Sequence, residues 1–106
     1  MIFLVDISQP GLERTRELIA AIEGAPEVIL HVADVTDDSA VKGMVDACID
    51  KFGRIDFACN NAGMAMPSIM TTEIPMETFD RLFDVNLKSV SDPGEEASLR
   101  PLVIVY

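Results

Sequence analysis

Apolar and polar positions alternate along the chain in two recurring patterns. Short runs that are apolar on nearly every residue, such as Ile2-Phe3-Leu4-Val5, are typical of strands buried on both faces of a sheet. Between these runs, apolar residues recur every three or four positions, which predicts helices with one buried face. The strands are expected at residues 1–7, 27–33 and 55–59, and the helices over 12–22, 41–52 and 79–90.

Helix boundary signals support these limits. Thr36 and Asp37 supply capping oxygens and negative charge before the second helix. Gly53 is suited to the residue after its last turn. Pro75 is expected at the first position of the third helix, and Asp92-Pro93-Gly94 is expected to end it.

The element order β-α-β-α-β-loop-α predicts an α/β fold, because strands alternating with helices form right-handed crossovers in a parallel sheet. Leu102–Tyr106 is a further apolar run near the end of the chain. Its residues are suited to another strand of this sheet or to an exposed adhesive segment.

Composition excludes several classes of protein. The 106 residues suit one domain, and eight basic against eighteen acidic residues give a net charge of −10. This charge argues against nucleic-acid and membrane-surface partners. The sequence has neither an apolar run of spanning length nor a signal-peptide pattern. Cys48 and Cys59 with the single His31 make no plausible metal site, so we expect buried free thiols and a cytoplasmic location.

Three polar features follow the predicted strands: Asp6, Asp34 and the segment Asn60-Asn61-Ala62-Gly63. Each is also typical of an ordinary turn or helix cap. Because ligands of parallel sheets bind beyond the carboxyl ends of the strands, the three together indicate one binding crevice.

Four segments resemble the short-chain dehydrogenase/reductase family in their letters, order and spacing. They are Asp34-Val35-Thr36-Asp37, Phe52-Gly53-Arg54-Ile55-Asp56, Asn60-Asn61-Ala62-Gly63 and Asp84-Val85-Asn86-Leu87-Lys88. The resemblance covers about residues 2–90. It implies an NAD(P)-dependent oxidoreductase that interconverts small-molecule alcohols and carbonyls and associates into homo-oligomers. It also implies part of a Rossmann-like, doubly wound parallel sheet with three to four strands and flanking helices.

The resemblance also implies the residues that bind the cofactor. Asp6 would accept hydrogen bonds from the adenosine ribose and repel a 2′-phosphate, which favours NAD over NADP. Ile7 would flank the adenine, while the Asp34 carboxylate accepts from its amine and Val35 packs on its ring. The backbone of three further residues would line the cofactor ribose: Asn60, Ala62 and Gly63. Asn61 would brace the neighbouring strands.

Asn86 matches the helix-borne asparagine of the family's catalytic set, which helps to hold a water beside the active-site lysine. The alternative for this chain is a buried asparagine that bonds locally. Lys88 lies two residues further on a helix, so it faces another side and is interpreted as a solvated lysine.

The sequence departs from the family in two places. It contains no Gly-rich phosphate loop, and its one tyrosine, Tyr106, has no lysine four residues later. We therefore expect residues 1–90 to be a partial NAD(P)-binding domain that holds the family's strands 2–4, and residues 91–106 to be a divergent tail. NAD binding would be weak, and the chain inactive by itself. The alternatives are a non-catalytic remnant that binds nucleotide or a partner, and the product of a truncated gene.

The missing first strand has a consequence for the sheet. The family's strand order, 3-2-1-4-5-6-7, places strand 1 between two strands that this chain retains. We expect Leu102–Tyr106 to pair within the sheet at that gap.

Overall fold

The computed structural model describes residues 1–66, 68–89 and 104–105. Within them, strands β1 (Ile2–Asp6), β2 (Val28–Val32) and β3 (Ile104–Val105) form a parallel sheet accompanied by helices α1 (Gln9–Ala20), α2 (Asp38–Phe52) and α3 (Met76–Phe83). A 3-10 turn (Thr71–Glu73) precedes α3, and a π-helical turn (Asp84–Lys88) follows it. The predicted α/β class and parallel sheet are confirmed.

Strand β1 lies in the middle of the sheet, whose order is β2-β1-β3. Leu4 is paired with Leu30 on one side and with Ile104 on the other. Its side chain is fully buried because strands flank it and helices cover the sheet. The predicted pairing of the C-terminal apolar run is confirmed for Ile104 and Val105, and the rest of residues 91–106 lies outside the described residues.

The predicted third strand at residues 55–59 is wrong. Residues 54–58 adopt no regular secondary structure, and Cys59 forms only an isolated bridge. Phe57 is 74% exposed. A strand needs a neighbour for its backbone amides and carbonyls, and β3 occupies the edge of β1 that faces away from β2. The apolar pattern indicates which side chains could be buried, but it does not show whether a neighbouring strand is present.

The core lies between the sheet and α2. Phe3 and Val5 of β1 pack in one cluster with Met44 and Cys48 of α2. Burial raises the pKa of the Cys48 thiol. The prediction of a buried free thiol is confirmed for Cys48 and wrong for Cys59, which is exposed.

Helix α1 begins at Gln9, earlier than the predicted start at residue 12, and ends at Ala20, before the predicted end at residue 22. The Ser8 hydroxyl accepts a hydrogen bond from the Gly11 N–H at 3.2 Å, which caps the helix. Leu12 is buried, whereas Ile22 lies beyond the helix end and is 63% exposed. The predicted apolar stripe is therefore wrong at Ile22, because the chain turns at residues 21–24 before that residue reaches the sheet.

The ends of the other helices follow their sequence signals closely. The Asp37 carboxylate caps α2, and Gly53 ends it with a φ of 76°, a left-handed conformation that favours glycine. Pro75 is the N-cap of α3 and has an extended ψ of 139°, so its predicted place inside the helix is wrong by one residue. The helix predicted to continue to Val90 changes to the π-helical turn at Asp84, and its predicted end at residues 92–94 lies outside the described residues.

Candidate functional site

A cleft of about 240 Å³ opens where β1 and β2 end, between the loops that follow them and α3. Five of the seven predicted cofactor-binding residues line it: Ile7, Asp34, Val35, Ala62 and Gly63. The other lining residues are Ala33, Met64, Arg81 and Val85. The folded chain therefore gathers most of the predicted set around one opening.

Asp34 is the acidic residue of this cleft. Its Oδ1 atom accepts two hydrogen bonds from Thr36, at 2.9 Å from the backbone N–H and 2.8 Å from the hydroxyl. These bonds lower the pKa of Asp34, and the positive charge of Arg81 lowers it further. The carboxylate is thus ionised near neutral pH. Its Oδ2 atom accepts no hydrogen bond from the described residues and is available to a ligand.

Of the two predicted cofactor-binding residues at the end of β1, only Ile7 lines the cleft. The Asp6 Oδ1 atom accepts from the Ser8 N–H at 2.7 Å, so this carboxylate forms the turn into α1. Asp6 does not line the cleft, whereas its neighbour Ile7 does. Ile7 is 61% exposed and presents an apolar surface at the opening.

The Asn60–Gly63 segment reaches the cleft with its second half. Ala62 is partly buried against the core and lines the cleft together with Gly63. Asn60 is exposed and lies outside the lining. Asn61 is also exposed, and within the described ranges its side chain makes no hydrogen bond, so the predicted bracing between strands is not observed there.

Asn86 fixes the backbone that follows this segment. Its Oδ1 atom accepts from the Met64 N–H at 2.8 Å, and its Nδ2 atom donates to the Met64 carbonyl at 3.0 Å. A β carbon built at Gly63 would lie 3.4 Å from the Asn86 Oδ1 atom, at the limit of normal contact. The amide therefore bonds within the chain and holds one wall of the cleft. Asn86 is exposed, so the buried side chain of the alternative interpretation is not observed.

Lys88 is exposed, as the interpretation of a solvated lysine requires, and pairs with Asp84 one turn earlier. This carboxylate raises the pKa of Lys88.

The sequence interpretation missed Arg81 and Val85 as residues of the cleft. Arg81 and Val85 are four positions apart, a spacing that places helical side chains on one face. Val85 directly precedes Asn86, so helical spacing from that motif could have identified Arg81.

No group of three or more His, Cys, Asp or Glu side chains in the described part of the chain could hold a metal ion. Across the same residues, no helix combines the length and apolarity needed to cross a membrane.

Comparisons with known proteins show which family the sequence and the fold resemble. A family model described as enoyl-(acyl carrier protein) reductase matches residues 1–97. A CLA biosynthesis dehydrogenase/reductase of Lactiplantibacillus plantarum is 37% identical over 86 residues, covering 81% of this chain and 29% of the relative. Levodione reductase of Leifsonia aquatica is 40% identical over 89 residues, covering 82% of this chain and 33% of the relative.

A solved structure extends the likeness to three dimensions. The crystal structure of an NAD+-bound xylitol dehydrogenase matches with a TM-score of 0.76 and 33% identity, covering 83% of this chain and 33% of that protein. This match confirms the predicted partial Rossmann-like fold. The chain spans about a third of the length of these relatives.

Proposed function

Since the chain belongs to the short-chain dehydrogenase/reductase family of NAD(P)-dependent oxidoreductases, we propose that its cleft binds the adenine end of NAD. The observation that carries the proposal is the convergence of Ile7, Asp34, Val35, Ala62 and Gly63 on one opening. The volume of about 240 Å³ is below the roughly 300–1,000 Å³ of sites for whole drug-sized ligands. It suits a part of the cofactor, such as one ring.

The residues of the cleft fit an adenine ring chemically. Ile7 and Val35 offer apolar surface for the faces of the ring. The Asp34 Oδ2 atom is a free acceptor for the exocyclic amine. Gly63 and Ala62 line the wall with small residues that let the backbone approach a ligand. NAD, when bound, supplies the acceptor or donor of a hydride.

Preference for NAD over NADP is a further part of the proposal. Asp6 lies at the end of β1, and its Oδ2 atom accepts no hydrogen bond from the described residues, so it is available to ribose hydroxyls. A 2′-phosphate would meet this carboxylate in a protein of net charge −10 and would be repelled. The related xylitol dehydrogenase is described as NAD+-bound.

In the chemical step, we propose that Asn86 has a positioning role. Its amide holds the Met64 backbone beside Gly63 and so positions the predicted ribose-lining segment, which includes Asn60. The 106 residues contain no Tyr-x-x-x-Lys to exchange the substrate proton. We infer that this chain binds NAD and does not catalyse turnover by itself.

The substrate of the complete reaction is proposed to be a small-molecule alcohol or carbonyl, in keeping with relatives named as dehydrogenases and reductases. Association into homo-oligomers and a cytoplasmic location belong to the same proposal.

Titration of the purified chain with NAD tests the central part of this proposal. We expect weak, saturable binding that Asp34→Ala reduces and that NADP reproduces less well. Asp50→Ala is the matched control, because Asp50 is an exposed aspartate on α2 outside the cleft. Absence of saturable binding, or equal loss in both variants, would contradict the proposal.

A further inference from the structure

Arg81 is a charged residue of the cleft that the predicted cofactor set does not use. It lies on α3 and lines the opening together with Asp34. The two side chains do not form a salt bridge, and Arg81 makes no side-chain hydrogen bond within the described residues. A guanidinium and a carboxylate therefore border the same space and leave a gap between them.

The surroundings of this pair favour a ligand in the gap. Ile7, Val35 and Ala62 line the same opening with apolar surface, which a flat ring could cover. The Asp34 Oδ1 atom is occupied by Thr36, so its Oδ2 atom is the acceptor that remains. Arg81 contributes only donors, because a guanidinium has no acceptor atom.

An acceptor beside a donor matches one edge of adenine in particular. Adenine presents its amine, a donor, next to a ring nitrogen, an acceptor, which is why a single Asn or Gln amide reads it with two hydrogen bonds. Asp34 and Arg81 offer the same two functions from separate side chains. A purine with a carbonyl in place of the amine would set that oxygen against the carboxylate.

We propose that Arg81 is a specificity-determining residue that donates a hydrogen bond to a ring nitrogen of the adenine whose amine is accepted by Asp34. This inference rests on the proposed binding of NAD in the cleft. It adds a recognition role for α3, an element to which the cofactor prediction assigned no adenine contact.

Adenosine is the probe for this test, because it has no phosphate to attract a guanidinium. Binding to the chain is followed by NMR titration, with 7-deazaadenosine and 1-deazaadenosine as analogues that each lack one ring nitrogen. In Arg81→Ala we expect affinity for adenosine to fall about fivefold, as for the loss of one hydrogen bond. Arg81→Lys, which keeps a cationic donor, is expected to recover part of the loss. Arg16→Ala is the control, since Arg16 is an exposed arginine of α1 outside the cleft.

The analogues identify the atom that Arg81 contacts. We expect one of them to bind the unmodified chain about fivefold more weakly than adenosine, while Arg81→Ala binds that analogue and adenosine equally. If both analogues show the same loss with and without Arg81, the inference is wrong. If Asp34→Ala weakens adenosine and Arg81→Ala does not, the inference is wrong and the proposed function stands. If adenosine does not bind saturably, both are contradicted.

Discussion

Asn86 bonds to Met64 with both ends of its side-chain amide, at 2.8 Å through Oδ1 and at 3.0 Å through Nδ2. The two residues are 22 positions apart, so this pair ties the π-helical turn to the loop after Gly63. Because Gly63 and Met64 both line the cleft, the pair holds that wall in place.

Asn86→Ala is expected to remove both hydrogen bonds and lower the free energy of unfolding by about 1–2 kcal/mol. Urea denaturation measures this loss, and hydrogen exchange of the Met64 amide reports the local effect. Asn61→Ala is the control, because Asn61 is exposed and has no side-chain hydrogen bond within the described residues. Unchanged protection of the Met64 amide in Asn86→Ala would show that the pair does not hold the loop.

Replacing Gly43 within α2 and Gly53 at its C-terminal end by alanine is expected to change the stability of the protein in opposite directions. Gly53 has a φ of 76°, so Gly53→Ala should destabilise the protein by about 1 kcal/mol. Gly43 lies inside α2 with open space where a β carbon would stand, so Gly43→Ala should stabilise the protein by about 0.5–1 kcal/mol. Thermal unfolding measures the change in melting temperature of each variant. A change in the same direction for both would contradict the assigned helix end.

The central position of β1 predicts a large cost for Leu4→Ala. Leu4 is 0% exposed, and its truncation should lower the free energy of unfolding by about 2–5 kcal/mol. Leu18 is 64% exposed on α1, and Leu18→Ala should change stability by less than about 0.5 kcal/mol. Chemical denaturation measures the free energy of unfolding of Leu4→Ala and Leu18→Ala. Similar losses in the two variants would be inconsistent with the sheet order.

Acid is expected to weaken the turns that Asp34 and Asp37 form. The Thr36 backbone N–H and hydroxyl lower the pKa of Asp34, while the Ser39 hydroxyl and the N–H groups of Ala40 and Ser39 lower that of Asp37. Each carboxyl is thus more acidic in the folded chain than its ordinary pKa of 3.8. Its contribution to stability is present above that value and is lost as pH falls through the folded pKa.

The double variant Asp34→Asn/Asp37→Asn should therefore lose less stability on acidification below pH 3.8 than the unmodified chain. Equilibrium unfolding over a series of acidic buffers measures this slope, and Asp50→Asn provides a background of one changed exposed carboxylate. Equal slopes for the double variant and the unmodified chain would contradict the assigned hydrogen bonds.

Local signals predicted much of this molecule correctly. The apolar runs located β1 and β2, and the caps at Asp37 and Gly53 located α2, because these features depend on nearby residues. Local signals could not show whether residues 55–59 form a strand, because a strand also needs a backbone partner that is distant in sequence. That the C-terminal apolar run pairs within the sheet, as Ile104 does with Leu4, followed only from the family's strand order.

In the candidate site as well, residues within sequence motifs could be predicted, and a residue placed by tertiary packing could not. The family motifs identified Asp34, Val35 and Gly63, which the fold does bring together. Arg81 lies outside those motifs, and its place in the cleft depends on how α3 packs after a long irregular loop.

The most direct test of the proposed cofactor site is an NMR chemical-shift map of the chain during titration with NAD. We predict that the backbone amides of Ile7, Val35 and Gly63, which line the cleft, shift together along one saturable curve. Leu18, on the exposed surface of α1, is predicted not to move. Shifts confined to residues outside the cleft, or none at saturating NAD, would contradict the claim that this cleft binds the cofactor.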